Sequence, residues 1–461
     1  MSLRKMLISG AAALLLTGPA VSAAENTKCN PCPSDSKAAT VECDNTGDYL
    51  IAPLYYAVGP WQTQLKVVNT NSERAIVARV ILRDGTDCTE FLDFNIYLTP
   101  GDVWTGTIYN ENGVIKVKSD DDSFIIGGKQ GAEVGSIGNA PETVGHRDLR
   151  IGYVEIAGLV SLDPDLIDND KKDGSWTACK PLDKMTFYKR VRGERQLKIE
   201  GLDPQDVGND DLTGRVTIIT DNPQDVNSAR YMTLNMTAFG NFATTPRAPF
   251  YGPNTQLTEI TEKGYRVLPE MDAALAKAAV NILYEGNGEE VLPIRAHFTL
   301  PTKKYWYVSG APMPTAYKLS DLYGDGLDND APSEYYYSVN PTGAEVQSRD
   351  NSENCNLCKK RSELSGYGAK QETCEIKIHS EVAYFDNSSP IVQDLAFASG
   401  GWVNIDLTNN DYRGSVGGKD VAFKGMPGIA TSFVAREFNI NGQSIYLNNW
   451  LYDSYKAAEC E

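Results

Sequence analysis

The strongest constraint on the fold is the alternation of apolar and polar residues between Tyr49 and Ile108. In residues 61–67, Trp, Thr, Leu and Val alternate with Gln and Lys. The same period appears in residues 76–83 and 92–98, where Arg, Asp and Asn stand between apolar residues. Successive side chains of a β-strand point to opposite faces, so each run has one face for a core and one mainly for water.

Turn-forming residues separate these runs, with Asn-Thr-Asn-Ser at 69–72, Arg-Asp-Gly at 83–85 and Thr-Pro-Gly-Asp at 99–102. Several short strands at this spacing predict an antiparallel β-sandwich. The strand pattern returns after residue 212. Two sandwich modules are therefore the simplest organisation, and a single enlarged sandwich with long excursions is the alternative.

Changes in composition divide the chain further. They predict a signal peptide at 1–23, a cysteine-bearing N-terminal arm at 24–48, a first β-sandwich at 49–160, an acidic insertion at 161–211, and a second β-sandwich at 212–461 with a cysteine-containing insertion at 309–373. One short amphipathic helix is expected in the second module. Pro269 suits a first helical turn, and the apolar residues that share one helical face after it are Met271, Ala274, Leu275 and Ala278.

The N-terminus has the composition of an export signal. Arg4 and Lys5 precede the apolar stretch Met6–Leu16, and Val21–Ala23 provides small residues for a cleavage site. The apolar stretch is shorter than a membrane span, although a retained anchor is the competing interpretation. We expect a mature chain without a transmembrane span that is secreted or displayed at the cell surface, with the periplasm as the alternative location.

The chain is acidic, with a formal charge of −18 at pH 7 and 61 Asp and Glu against 43 Lys and Arg. The charged residues of the signal peptide, Arg4 and Lys5, are both basic, so its cleavage would make the mature chain more acidic. A surface of this charge repels nucleic acid and anionic membranes. The expected partners are therefore other copies of the chain, other surface proteins or glycans.

Nine cysteines in an exported chain predict disulfides, and they are Cys29, Cys32, Cys43, Cys88, Cys179, Cys355, Cys358, Cys374 and Cys460. Because the number is odd, at least one thiol is left over or pairs with another chain. The two Cys-x-x-Cys pairs lack the following His that a c-type haem requires. A redox site and a zinc site, with His379 as the nearest further ligand, are the alternatives to disulfides.

Two acidic runs predict calcium sites, because several carboxylates on a tight loop supply the hard oxygen ligands that calcium prefers. The first run resembles the Asp-Gly-x-Asp loops of extracellular calcium-binding repeats and contains Asp325, Asp328, Asp330 and Glu334. The second contains Asp163, Asp165, Asp168, Asp170 and Asp173. Both depart from the EF-hand spacing, and an acidic turn that binds nothing is the alternative. Ca²⁺ is the cofactor that these two runs suggest.

No catalytic motif emerges from the sequence. The histidines, His146, His297 and His379, form no His-Glu-x-x-His motif, and no Gly-x-Ser-x-Gly elbow is present. His297 lies in an alternating run and is expected to be a structural histidine of a strand. Aromatic trios at 305–307 and 335–337 would suit either cross-strand packing or a binding surface for sugars or proteins.

Three elements of the first sandwich resemble a group of uncharacterised secreted bacterial surface proteins. They are the W-x-T-x-L-x-V-V-N-T run at Trp61–Thr70, Asp93–Leu98 and Pro100–Trp104. Gly152–Glu155 and Leu300–Lys303 are similar to that group more weakly. The resemblance implies Ig-like domains and an exported surface protein. It transfers no catalytic residues, because the group has no established activity.

These features predict an all-β fold of Ig-like antiparallel β-sandwich modules with long decorated loops and one short helix. The expected function is that of a non-enzymatic, exported structural protein that self-assembles and is stabilised by disulfides and calcium. A secreted carbohydrate- or protein-binding adhesin is the alternative, and a secreted hydrolase ranks below it.

Overall fold

The structure is a computed structural model that describes residues 40–41, 45–86, 89–131, 133–145, 147–162, 183–193, 211–220, 231–240, 271–285, 294–301, 337–339, 344–348, 354–356, 376–378, 382–386, 400–406, 411–416, 419–424, 426–440, 443–451 and 455–457. A helix, α1 (Lys184–Gly193), and a 3₁₀ turn, Ile137–Asn139, accompany the strands of the N-terminal half. These strands are β1 (Thr40–Val41), β2 (Tyr49–Tyr56), β3 (Trp61–Asn69), β4 (Ala75–Asp84), β5 (Glu90–Leu98), β6 (Val103–Glu111), β7 (Val114–Lys118), β8 (Ile125–Ile126), β9 (Lys129–Gln130), β10 (Glu133–Gly135), β11 (Thr143–Val144), β12 (Arg147–Asp148), β13 (Ile151–Leu162), β14 (Leu212–Thr220), β15 (Tyr231–Asn235) and β16 (Thr237–Gly240).

The C-terminal half contributes β17 (Ala276–Glu285), β18 (Ile294–Thr299), β19 (Tyr337–Val339), β20 (Ala344–Ser348), β21 (Asn354–Asn356), β22 (Ile376–Ile378), β23 (Val382–Asp386), β24 (Gly400–Asp406), β25 (Asp411–Val416), β26 (Lys419–Lys424), β27 (Met426–Pro427), β28 (Ile429–Ile440), β29 (Gln443–Leu451) and β30 (Tyr455–Ala457). One sheet has the order β21-β20-β24-β17-β27, with β30 also paired to β17. Another has the order β23-β18-β28-β29.

Two six-stranded antiparallel sheets form the N-terminal half. Sheet 1 has the order β1-β16-β2-β13-β4-β5, and sheet 2 has the order β10-β7-β6-β3-β14-β15. Strands β14, β15 and β16 come from residues 212–240, a stretch that the sequence analysis assigned to the second module, yet they pair within sheets 1 and 2. The division of the chain into two modules stays a prediction.

Sheet 2 follows the alternation that the sequence predicts. On β3, Leu65 and Val67 are buried, whereas Gln64 and Lys66 are exposed. On β6, Trp104 is completely buried beside exposed Thr105. One side of sheet 2 therefore packs on the core and the other faces water, as is common for antiparallel sheets.

Sheet 1 differs from the expectation, because both faces of β4 and β5 are buried along their whole length. Arg79 and Asp93, which the alternation assigned to a water-facing side, are 0% exposed. Helix α1 contacts this sheet through Phe187 and Tyr188, whose ring centroids lie 5.7 and 5.3 Å from that of Tyr97. The prediction of a water-facing side is wrong for these strands because a further layer covers it.

The end of β18 and the residues just after it also contact sheet 1. The Thr299 hydroxyl donates a hydrogen bond to the Pro53 carbonyl oxygen (2.6 Å), and the Tyr153 hydroxyl donates one to the Pro301 carbonyl oxygen (3.1 Å). Residues from the C-terminal half also join the hydrophobic cluster of the first two sheets, namely Met271, Ala274, Leu275 and Ile429. Contacts between the two halves of the chain therefore include buried apolar and polar groups.

The core between sheets 1 and 2 contains an aromatic group. The ring centroid of Phe94 on β5 lies 5.7 Å from that of Trp104 on β6 and 4.8 Å from that of Phe124. Each of these side chains is 0% exposed. Aromatic pairs at such distances add stability beyond the area that they bury.

The helix predicted after Pro269 is only partly correct. Residues 271–274 are helical, but β17 begins at Ala276, so Ala278 lies in a strand. The backbone of this stretch pairs with β24, β27 and β30, and this pairing prevails over the helical spacing of its apolar residues. His297 on β18 is 4% exposed and stands opposite Thr431, which agrees with the prediction of a structural histidine.

The all-β class is confirmed, because antiparallel sheets account for most of the described residues. The Ig-like type stays a prediction. None of the helices within the described residues has the length and apolar character needed to span a membrane.

We predict that Gly152→Ala destabilises the protein strongly. A Cβ atom at this position on β13 would lie 1.9 Å from the carbonyl oxygen of Arg83, so the backbone of β4 or β13 would have to shift. Such overpacking lowers the free energy of unfolding by about 3 kcal/mol. Urea denaturation of the variant and the wild type measures the difference. The control is Gly135→Ala, where the nearest atom is the side-chain oxygen of Asn139 at 3.3 Å. Equal midpoints for the two variants would contradict the packing argument.

Candidate functional site

The residues that the sequence predicts for calcium and disulfides fall largely outside the described ranges. This holds for Asp163, Asp165, Asp168, Asp170, Asp173, Asp325, Asp328, Asp330 and Glu334, and for every cysteine except Cys355. The backbone of Cys355 is placed in β21, opposite Val346. His146, His379 and the aromatic trio at 305–307 also lie outside the described residues. All of these assignments stay predictions.

A polar network, here called the loop-end network, joins the turns at one end of the sandwich. At its centre lies Asn69, the buried last residue of β3. Its Nδ2 donates hydrogen bonds to the carbonyl oxygens of Arg74 (2.8 Å) and Thr99 (2.9 Å). Its backbone N–H donates a hydrogen bond to the carbonyl oxygen of Asp102 (2.9 Å). Its Oδ1 accepts the N–H of Asn71 (3.0 Å). One side chain therefore ties the β3–β4 turn to the β5–β6 turn.

The network extends to Asp211, which precedes β14. Asn71 Nδ2 donates to Asp211 Oδ2 (2.9 Å), and the N–H and hydroxyl of Thr70 both donate to the Asp211 carbonyl oxygen (2.7 and 2.9 Å). Burial raises the pKa of the Asp211 carboxyl, and the Asn71 hydrogen bond and the charge of Arg74 oppose that shift. Arg74 in turn donates to Ser161 Oγ (2.8 Å) and to the Ser161 carbonyl oxygen (2.9 Å), which connects β13.

Lys184 of helix α1 inserts its ammonium group among three carboxylates of the same end. Nζ lies 2.7 Å from Asp102 Oδ2, 2.7 Å from Asp122 Oδ1 and 3.7 Å from Asp121 Oδ1, and it donates to Ser123 Oγ (2.5 Å). Desolvation lowers the pKa of Lys184, but its hydrogen bonds to Asp102 and Asp122 outweigh that effect and the pKa is raised. The lysine is 9% exposed and supplies the cation of an otherwise acidic pocket.

Short polar side chains fix the local structure on both sides of this contact, at the start of α1 and in the acidic turn at residues 119–123. Asp183 caps α1 by accepting hydrogen bonds from the N–H (2.9 Å) and hydroxyl (2.5 Å) of Thr186. In the acidic turn, the Asp121 N–H donates to Ser119 Oγ (3.2 Å) and the Ser123 N–H donates to Asp121 Oδ1 (2.8 Å). These local bonds place the carboxylates of the turn beside the first residue of the helix.

The sequence analysis missed helix α1 because it treated residues 161–211 as an acidic insertion. The available signal was a capping residue, Asp183, followed by apolar residues one turn apart. Phe187 and Val191 are indeed buried apolar residues of the helix, at 0% and 1% exposure. The ionic contacts of Lys184 had no sequence signal, because its carboxylate partners lie more than sixty positions earlier in the chain.

Buried ion pairs occupy the covered side of sheet 1. The guanidinium of Arg79 contacts the carboxylate of Asp93, and both side chains are 0% exposed. Arg83 Nε donates to Glu155 Oε2 (2.7 Å), and Arg83 Nη2 lies 3.6 Å from Glu90 Oε2. A charge in such a position is tolerated only when an opposite charge and hydrogen bonds accompany it.

The ion pairs and hydrogen bonds of the loop-end network and of sheet 1 hold elements of the fold together. Catalytic groups normally converge on a cleft with pKa values tuned to their task. Here the carboxylates and cations of the loop-end network and of sheet 1 face one another. In the part of the chain that the structure describes, no three His, Cys, Asp or Glu side chains are grouped to hold a metal ion.

Comparisons with known proteins give no match. No protein-family model, no curated protein and no solved structure matches the chain. The resemblance carried by Trp61–Thr70 stays a prediction, and the function must be argued from the geometry.

We predict that Lys184→Met destabilises the protein by about 1–3 kcal/mol, because it leaves three carboxylates facing one another. The loss is smaller than for a fully buried ion pair, because Asp122 is exposed and solvent screens its charge. Because the pKa of Lys184 is raised in the folded chain, its contribution to the free energy of unfolding is complete below pH 10.5, the ordinary pKa of a lysine. That contribution is lost as the pH rises from there through the raised pKa. Urea denaturation of wild type and variant across this range measures the effect. The control is Lys189→Met, an exposed position on α1 that should change stability little. Equal effects of the two changes would contradict the interpretation.

We predict that Asp93→Asn destabilises the protein by about 3–5 kcal/mol, because it removes the carboxylate that faces a fully buried guanidinium. The double variant Arg79→Met/Asp93→Leu removes both charges and should recover most of that loss. A double-mutant cycle that also includes Arg79→Met and Asp93→Leu as single variants, measured by denaturation, provides the coupling energy. Additive effects of the single changes would show that the pair does not act as a unit.

Proposed function

We propose that this chain is a non-enzymatic, exported structural protein of the cell surface or the extracellular space. It self-assembles and is stabilised by disulfides and calcium. The mutual neutralisation of its charged clusters carries the proposal. Arg79, Arg83 and Lys184 all face carboxylates of the same chain rather than an open cleft.

Ion pairs within the chain support a rigid structural role rather than a catalytic one. Lys184 joins a helix to two turns, and Arg83 joins neighbouring strands of sheet 1 through Glu155. A scaffold that must persist outside the cell benefits from such internal connections, as well as from disulfides. The signal peptide, the cysteines and the acidic runs read from the sequence support the same proposal from a separate source.

The adhesin and the hydrolase remain the competing functions. The adhesin depends on exposed aromatic side chains at 305–307, which lie outside the described residues. The hydrolase depends on a carboxylate pair in a cleft, and the described carboxylates of Asp93, Glu155 and Asp102 are instead paired with cations.

Native mass spectrometry of the exported protein, purified without reductant, tests the proposed function. We expect a chain cleaved near residue 23, a mass lowered by cysteine oxidation, bound calcium that a chelator removes, and oligomers. Asp325→Asn/Asp328→Asn should reduce the bound calcium. The matched control is Asp120→Asn, which changes an exposed aspartate of a turn. A reduced, metal-free monomer retained inside the cell would contradict the proposed function.

A further inference from the structure

The water-facing side of sheet 2 carries two cations near its centre. Lys66 on β3 and Arg215 on β14 are exposed and stand directly opposite each other in the antiparallel register. Neighbouring strands lie about 4.8 Å apart, so the two side chains emerge next to each other. Their other neighbours in register are Thr105 on β6 and Asn235 on β15. A cationic pair flanked by uncharged polar side chains therefore occupies this side.

Charges at the edge of the same sheet are arranged differently. Lys116 on β7 lies 2.5 Å from a carboxylate oxygen of Glu111 and 2.7 Å from one of Glu133. Lys118 lies over the ring of Tyr109, 4.6 Å from its centroid. These edge cations stabilise the chain itself. Like charges directly opposite each other on a sheet instead reduce stability. The pairing of Lys66 with Arg215 therefore lowers the free energy of unfolding of the isolated chain.

We propose that Lys66 and Arg215 bind carboxylates on the acidic surface of a second copy of this chain. The inference rests on the structural function proposed above and names the surface through which the protein would assemble. A second copy supplies the complementary charge, since the chain has 61 acidic against 43 basic residues. Thr105, the neighbour of Lys66 in register, carries a hydroxyl group of the kind that donates hydrogen bonds to carboxylate oxygens.

The geometry of this contact determines the type of assembly. A cationic sheet face that meets an acidic surface elsewhere on its neighbour forms a heterologous contact, so copies join head to tail. Copies of this acidic chain repel one another at long range, but that repulsion is screened beyond about 8 Å at about 0.15 M salt. Association is therefore expected at physiological salt and should weaken at about 1 M, where screening reaches about 3 Å.

Sedimentation velocity of the purified full-length exported chain tests the proposal. Lys66→Glu/Arg215→Glu should raise the dissociation constant at least about tenfold, because it replaces two attractive contacts by repulsive ones. The matched control is Lys129→Glu/Lys189→Glu, which changes the net charge equally at exposed positions on β9 and α1. This control should associate like the wild type.

A single change separates assembly from folding. Arg215→Glu places a carboxylate opposite Lys66, and opposite charges in this register stabilise a sheet. The melting temperature of the monomer should rise while association becomes weaker. A merely structural role for Arg215 would lower the melting temperature instead.

A mixing experiment tests the head-to-tail geometry. Lys66→Glu/Arg215→Glu chains retain their acidic surface, so a small fraction of them should cap wild-type assemblies and shorten them. Unchanged association of the double variant, or an equal loss in the control, would overturn the proposed surface and leave the structural function intact. Wild-type chains that stay monomeric at every salt concentration would also overturn it, and the native mass of the exported protein would then decide whether self-assembly fails with it.

Discussion

Burial of both faces of sheet 1 is the constraint on which the rest of the structure depends. An unpaired charge in such an interior costs about 3–5 kcal/mol, so the polar residues of β4, β5 and β13 need partners within the fold. Arg79 meets Asp93, and Arg83 meets Glu155, on a side that a half-exposed sheet would turn to water. Helix α1, the end of β18 and the residues just after it supply the layer that covers this side.

Sheet 2 shows the opposite arrangement, and the contrast gives each sheet a different role. Its core side packs against sheet 1, while its other side exposes Lys66 and Arg215 in direct opposition. The loop-end network connects the two sheets, because Asn69 joins the β3–β4 turn to the β5–β6 turn, and each of these turns links one sheet to the other. Lys184 then ties α1, which covers sheet 1, to the turn that begins β6 of sheet 2. Polar groups therefore join the layers to one another, whereas the cationic pair lies on the surface.

Much of the N-terminal fold was predictable from local pattern. The alternation at 61–67 correctly gave the buried and exposed sides of β3, because period-two patterns follow directly from strand geometry. The same reasoning failed for 76–83, because a period records only the side chains of one strand and not what covers them. The helix predicted at 271–278 failed beyond residue 274, because strand pairing with β24 is a long-range contact that local spacing does not report. Helix α1 had a capping signal at Asp183 that the acidic composition of its surroundings obscured.

The sequence by itself determined the all-β class, the position of the first strands and the acidic character of the chain, since these depend on composition and on spacing over a few residues. Tertiary structure alone decided which charges are buried, which are paired and which are left on the surface. Lys184 meets Asp102 and Asp122, and Arg83 meets Glu155, across separations of many tens of residues. Such partners become neighbours only when the sheets and α1 have packed, because chain separation carries no information about distance in a folded antiparallel topology.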